Sequence, residues 1–366
     1  MRLCKKVFLL GAGFSHPAGY PLDSGLFDAV MDKGAEIAKW SVFCDDMGDC
    51  ESINAVLKSA SSSQLLLPLL LKTVRKQYPE VKSFDRLVEL SEMFASGHVR
   101  LNGLSSEEEA SWAMARREPH GLCASSVINC VHDALSQVFG EIVPINTAYV
   151  DSLVSYAHET GSPIYTTNFD SLIEEACVRL GISPDLPGTV SPVQVGLSGS
   201  GFKLYKLHGS LDWDPLPLID DKMKDGYVVR YRRGCSLRGS QNVDLDVRGK
   251  LGRVSLMLPH LNSLVGDWTN GVELVLIGSG LSDSHLAAAI ISRLHVPGYS
   301  IAVVNNCPEL PLRLHCSYPQ IVKAVGGEGS VVTHDLSAEA YCLSLRHNLT
   351  SRITDCIRSG GLTPSE

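Results

Sequence analysis

No two of the eleven cysteines stand in a Cys-x-x-Cys pair. The spacing that builds a zinc ribbon is therefore missing, and no metal is expected. An odd cysteine count without a paired framework reads as reduced, mostly buried thiols in a cytoplasmic protein. No apolar run approaches the ~20 residues of a membrane span. The longest candidate, Leu65 to Leu71, is broken by Pro68. Met1 to Lys6 is basic, but only four apolar residues follow before Gly11, too few for a secretory leader. Positive charge is also short: 32 basic against 40 acidic residues give −8, which disfavours a general nucleic-acid or membrane-surface binder. The lack of any internal repeat argues against a helical solenoid.

What remains is a chain of 366 residues, 44% of them apolar, enough for two units or one large α/β domain with insertions. Its organising stretch is Val7-Phe8-Leu9-Leu10-Gly11-Ala12-Gly13-Phe14-Ser15. Four apolar residues run into two glycines, as a buried parallel strand does when it stops at a tight turn and opens a helix. Such glycines let the backbone approach something bulky, and the N–H groups of the turn suit a diphosphate. His16 stands where a dinucleotide fingerprint has its third glycine.

The same grammar recurs along the chain. Pro163 to Thr167 reads as a strand, followed by Asn168-Phe169-Asp170 and a helix over 171–180. Phe202 to Leu207 alternates as a strand and ends in His208-Gly209-Ser210. Val272 to Ile277 is apolar and breaks at Gly278-Ser279-Gly280-Leu281-Ser282-Asp283 before a helix over 284–294. Ser300 to Val304 ends at Asn305-Asn306, and a weak strand over 330–333 precedes a helix from 338. This alternation predicts a doubly wound parallel α/β sheet, with its ligand crevice at the carboxyl ends of the strands.

Two stretches interrupt the sheet. Residues 26–160 are largely helical in pattern and follow Pro21 to Gly25, where Asp23 or Ser24 suits a helix N-cap. Residues 214–265 read as an irregular insertion. Within 230–253 it carries seven basic side chains against Asp244 and Asp246, which suits a solvated face or a contact for an anion or nucleic acid. Residues 351–366 read as a frayed tail. Taken singly, Asn168 and Asp170 suit helix capping as well as chemistry, and His208 suits a structural role as well as a base.

Together the motifs resemble the sirtuin (silent information regulator) superfamily. Gly11-Ala12-Gly13-Phe14-Ser15 is similar to its Gly-Ala-Gly-x-Ser loop, Thr167-Asn168-Phe169-Asp170 to its Gln-Asn-Ile-Asp motif, and His208-Gly209 to its catalytic His-Gly. Gly278-Ser279-Gly280-Leu281 resembles its Gly-Thr-Ser-Leu loop, and Asn305 the strand-end residue that meets the adenosine ribose. The resemblance implies a Rossmann-like domain over 1–350 that binds NAD+ as substrate. It departs from the deacylases in lacking the zinc module and in carrying Pro21-Leu22-Asp23-Ser24 for Pro-Asp-Phe-Arg. Thr-Thr-Asn-Phe-Asp with Lys-Leu-His-Gly-Ser-Leu-x-Trp resembles a branch found in bacterial anti-phage defence, whose members are mainly NAD+ hydrolases.

That branch implies Asn168 and His208 as catalytic residues. Gly11, Ala12, Gly13, Phe14, Ser15, Asp23, Thr167, Asp170, Gly209, Gly278, Ser279, Gly280 and Asn305 are the residues expected to bind the dinucleotide. In this assignment His208 is the base toward a ribose hydroxyl or water. Asn168 places the ribose or water, and Asp170 meets the nicotinamide amide. An unrestrained hydrolase would be toxic, so control by a homo-oligomer or a separate sensor protein is expected. The other activities weighed are ADP-ribosyl transfer or deacylation, and binding without turnover.

Overall fold

The computed structural model describes residues 4–41, 141–186, 189–190, 201–208, 210, 213–215, 229–231, 260–269, 271–281, 283–294, 298–304, 331–334 and 336–346, with scattered positions between 71 and 140. The chain divides into two compact units. The first takes Met1–Tyr20, Pro144–Gly234 and Arg253–Glu366; the second takes Pro21–Val143 and Cys235–Gly252.

Among the described residues the first unit holds nine strands: β1 (Lys6–Leu10), β2 (Ile164–Thr166), β3 (Thr189–Val190), β4 (Leu204–Lys206), β5 (Trp213–Pro215), β6 (Val229–Tyr231), β7 (Glu273–Ile277), β8 (Ser300–Val304) and β9 (Val331–His334). Six of them form one sheet in the order β4-β2-β1-β7-β8-β9, and every pairing in it is parallel. The chain builds outward from β1 through β2 to β4, then returns to the other side of β1 with β7. This is the doubly wound order, and its switch point lies between β1 and β7.

The sheet explains the apolar runs. A parallel strand covered on both faces has no polar side, so Val7 to Leu10, Leu274 to Ile277 and Ile301 to Val304 are all fully buried. On one face Val7, Leu9, Leu274, Leu276, Ile301 and Val303 pack with Tyr165, Tyr205 and the side chains of helices 260–267 and Ser284–Leu294. On the other, Phe8 meets Tyr156 edge-on at 5.8 Å. Tyr156 belongs to the helix Ala148–Thr160, which packs against the helix Leu172–Leu180. Both helices stop at a glycine in the left-handed region, Gly161 (φ 64°) and Gly181 (φ 68°).

Part of the stretch read as irregular is paired. β5 runs antiparallel to β6, and β6 runs parallel to β3, giving a separate three-stranded sheet. These strands are too short to show a local period, and their pairing partners are distant in the chain.

The second unit is described in fewer places. The helix Asp23–Ser41 buries Leu26, Phe27, Val30 and Met31, and Leu87 and Leu90 are buried three residues apart. Asp23 Oδ1 accepts the Phe84 N–H at 3.0 Å. Among the described residues no helix is long and apolar enough to cross a membrane. The tail 351–366, and the basic stretch 230–253 apart from the backbone of β6, lie outside the described residues.

One buried titratable group gives a pH prediction. His260 is 6% exposed and meets the Tyr205 ring edge-on at 5.2 Å. Burial lowers its pKa from 6.5 to about 4. The unfolded chain therefore takes up a proton as pH falls below about 6.5, while the folded ring stays neutral until about pH 4. Stability falls across that window, by up to about 3 kcal/mol for the one ring. Urea unfolding at pH 7 and pH 5 measures it: His260→Phe flattens the acid-side loss, and an unchanged slope contradicts the assignment.

Candidate functional site

The loops after β1, β2, β4 and β7 leave the sheet at its carboxyl edge, on both sides of the switch point. The glycines of the first loop are required by the fourth. A Cβ on Gly11 would lie 2.6 Å from Ser279 Cα, and one on Gly13 would lie 2.8 Å from Gly278 Cα. Gly278 takes φ 61°, and a Cβ there would lie 2.2 Å from the Phe14 nitrogen. The two loops are joined by hydrogen bonds from Gly11 N–H to Ile277 O (3.0 Å) and Gly13 N–H to Gly278 O (2.9 Å). Phe14 N–H donates to Gly11 O at 2.8 Å. Thus the bulky neighbour that these glycines admit is the other loop, and three of the amides expected to cradle a diphosphate have protein partners.

A substitution at Gly278 combines a left-handed backbone with a clash against main chain. Gly278→Ala is expected to cost at least about 3 kcal/mol. Gly280→Ala has open space, with nothing within 4 Å of its Cβ, and should stay within about 0.5 kcal/mol. Denaturant midpoints of the two variants check the contrast; equal midpoints would refute it.

The second loop is tied into the first by side chains. Thr167 N–H donates to Leu10 O at 3.1 Å, extending the β1–β2 pairing past the strand end. Asn168 Nδ2 donates to Gly11 O and to Ser15 Oγ, both at 2.9 Å. Ser15 Oγ in turn donates to Asp170 Oδ2 at 2.6 Å. The other Asp170 oxygen accepts the Leu172 N–H at 3.2 Å, the first amide of the helix Leu172–Leu180. Asn168 is half-buried, whereas Ser15 and Asp170 are buried. Tyr149 Oη donates to Phe14 O at 2.6 Å and holds the glycine loop from the helix side. Burial, then the charges of Asp170, Glu175 and Glu174, push the Tyr20 hydroxyl's pKa up, so it stays protonated at neutral pH.

The third loop brings His208, buried beside the second. Its ring lies 6.2 Å from Phe169, tilted at 40°, and Ser210 Oγ donates to Phe169 O at 3.4 Å. His208 Nε2 stands 3.3 Å from Asp283 Oδ2. Asp283 Oδ1 accepts the Leu286 N–H at 3.1 Å and caps the helix Ser284–Leu294.

Three residues that the sequence reading passed over hold this arrangement. Lys206 is 1% exposed at the end of β4; its Nζ donates to the Asp170 carbonyl and pairs with Glu174 Oε1 at 3.0 Å. A lysine in the alternating run 202–207 reads as solvent-facing, and Glu174 as one of two acids on a helix. The signal that pointed the other way was position: Lys206 is the last strand residue before Leu207-His208. Asp283 stood at the end of the loop before a helix, and nothing in the sequence linked it to His208.

Of the residues expected to bind the dinucleotide, Gly11, Ala12, Gly13, Phe14, Ser15, Thr167, Asp170, Gly278, Ser279 and Gly280 stand in these strand-end loops. Ser279 is buried, and its Oγ accepts the Leu281 N–H at 3.4 Å, which is a turn contact. Asp23 belongs to the second unit, where its carboxylate holds the Phe84 amide. Gly209 and Asn305 lie outside the described residues. Among the described residues no group of three or more His, Cys, Asp or Glu side chains is placed to hold a metal ion.

No curated protein matches the sequence significantly. Residues 162–294 match the family model of the SIR2-like domain. That span begins after the glycine loop and contains Asn168, Asp170, His208, Gly278 to Gly280 and Asp283. That stretch is therefore similar to a SIR2-like domain, in agreement with the motifs it carries.

Proposed function

We propose that the chain is an NAD+ glycohydrolase that serves as an effector of bacterial anti-phage defence. The supporting observation is the single network that joins three loops: Asn168 bonded to Gly11 and Ser15, with its neighbour Phe169 against His208. It gathers at one strand edge an amide that positions, an imidazole that takes a proton, and a glycine loop.

In the reaction, water adds to C1′ of the nicotinamide ribose. The bond from C1′ to the pyridinium nitrogen breaks, and its electron pair leaves with nicotinamide. ADP-ribose and one proton are the other products. Because the leaving group departs neutral, strong acid catalysis is unnecessary. The protein's share is to hold the ribose, exclude bulk water and accept a proton. His208 accepts it from the water or a ribose hydroxyl, while Asn168 holds that oxygen in place.

The network also refines the roles first given to Asp170 and the glycine loop. The Asp170 carboxylate is engaged by Ser15 and the Leu172 amide. Its role in this reading is to fix Ser15 and the Asn168 loop, with recognition of the nicotinamide amide as the alternative. With the Gly11, Gly13 and Phe14 amides committed and the Ser15 hydroxyl given to Asp170, the diphosphate falls to the Ala12 amide and to Gly280 on the facing loop.

Purified protein incubated with NAD+ labelled in the adenylate half tests the reading. Free labelled ADP-ribose supports hydrolysis. Label retained on protein supports a transferase, and saturable binding without products supports a regulator. Restraint is proposed to come from self-assembly or a separate sensor protein. Size measurement with and without neighbouring gene products should show an assembly that gains activity. A constitutively active monomer contradicts that part.

A further inference from the structure

We propose that Asp283 is the positioning residue for His208: one carboxylate oxygen caps the helix Ser284–Leu294, and the other orients the imidazole and stabilises its protonated form. The inference rests on the glycohydrolase reading for its consequence, but its geometry stands without it.

The carboxylate is fixed before it meets the ring. Asp283 Oδ1 accepts the Leu286 N–H, and the Asp283 carbonyl accepts the Ala287 N–H at 2.9 Å. Oδ2 lies 3.3 Å from His208 Nε2, within ion-pair distance though not in hydrogen-bond geometry in this structure. Both side chains are largely out of water, the imidazole 6% and the carboxylate 11% exposed. Burial disfavours a charged ring, and the carboxylate beside it offsets that cost when the imidazole takes a proton. A carboxylate can only accept, so a hydrogen bond formed when the pair closes by a small ring rotation selects the tautomer with hydrogen on Nε2 and the lone pair on Nδ1. Both effects serve a base that must pick up a proton when the glycosidic bond breaks. A third follows from connectivity. Asp283 lies three residues beyond Gly280, so a ligand that shifts the Gly278–Gly280 loop moves the group that orients His208.

Other charges near the pair are committed. Among the described residues, the β2 loop brings Phe169 to the ring and carries Asp170, which is bonded to Ser15 and the Leu172 amide. β4 carries Lys206, which is paired with Glu174. Asp283 is in ion-pair contact with the ring.

Asp283→Asn tests this cleanly, because asparagine caps a helix as well as aspartate. Asp283→Ser is a second capping variant, too short to reach the ring. The direct readout is the His208 ring titration by NMR with labelled histidine, assigned through His208→Gln. The midpoint is expected to fall by about one pH unit or more in both variants, with the melting temperature close to that of the parent. In turnover of NAD+, kcat should fall about 10-fold or more, and its acid limb should move to lower pH, with KM changed less than about twofold. A His208 midpoint unmoved in a folded variant overturns the proposal. Because the titration needs no substrate, absence of NAD+ cleavage in the parent overturns the glycohydrolase reading and leaves this result to stand or fall by itself.

Discussion

Replacing His208 by alanine is expected to lower the rate of NAD+ cleavage by about 10²–10⁴-fold, the usual contribution of a positioned general base. Asn168→Ala should lower it by about 10²–10³-fold, because the lost amide both orients the reacting oxygen and holds the glycine loop. The two variants differ in what else they disturb. Asn168→Ala removes the donor to Gly11 O and Ser15 Oγ and should cost about 1–3 kcal/mol of stability. His208→Ala leaves Asp283 as the cap of its helix, so its fold should survive. Initial rates over a range of NAD+ concentration separate the effects: kcat falls in both, and KM rises more for Asn168→Ala. Rates equal to the parent for both would remove these residues from the chemistry.

The second large effect is structural. Lys206 and Glu174 form an ion pair out of contact with water, 1% and 5% exposed. Removing one partner strands a buried charge, so Lys206→Met should cost about 3–5 kcal/mol in urea unfolding. Replacing both, as Lys206→Met with Glu174→Leu, leaves no charge unpaired and should recover most of the loss. The double variant still lacks the donor to the Asp170 carbonyl. It is therefore expected to be stable yet impaired in turnover, since the loop that carries Asn168 has lost its anchor. A single variant that costs under about 1 kcal/mol, or a double variant no better than the single, would contradict this view of the pair.

The fold was legible where burial is two-sided and the site where polar residues cluster at strand ends. Val7 to Leu10, Leu274 to Ile277 and Ile301 to Val304 are continuous apolar runs because both faces of a central parallel strand are covered. Each is followed by small or polar residues, since only such residues fit the crowded carboxyl edge. What stayed hidden depends on partners distant in sequence. Gly11 and Gly13 promised a close approach, but the thing approached was a loop 267 residues further on, at Gly278. Lys206 looked like the solvent side of an alternating strand because nothing local shows that Glu174 waits for it. Asp283 stood in the sequence only as the last loop residue before a helix, which it caps. Its second oxygen becomes informative only once β4 delivers His208 to the same edge. Asp23, expected to bind the dinucleotide, has a partner just as distant: its carboxylate accepts the Phe84 amide within the second unit.

The most direct test of the central claim is the stoichiometry of products from NAD+, followed by chromatography with the parent protein in its active assembly and with Asn168→Ala and His208→Ala beside it. The account predicts nicotinamide and free ADP-ribose in equal amounts from the parent, and rates reduced by at least about 10²-fold in both variants. Nicotinamide release that survives in both variants, or no release from an assembly that binds NAD+, would contradict it.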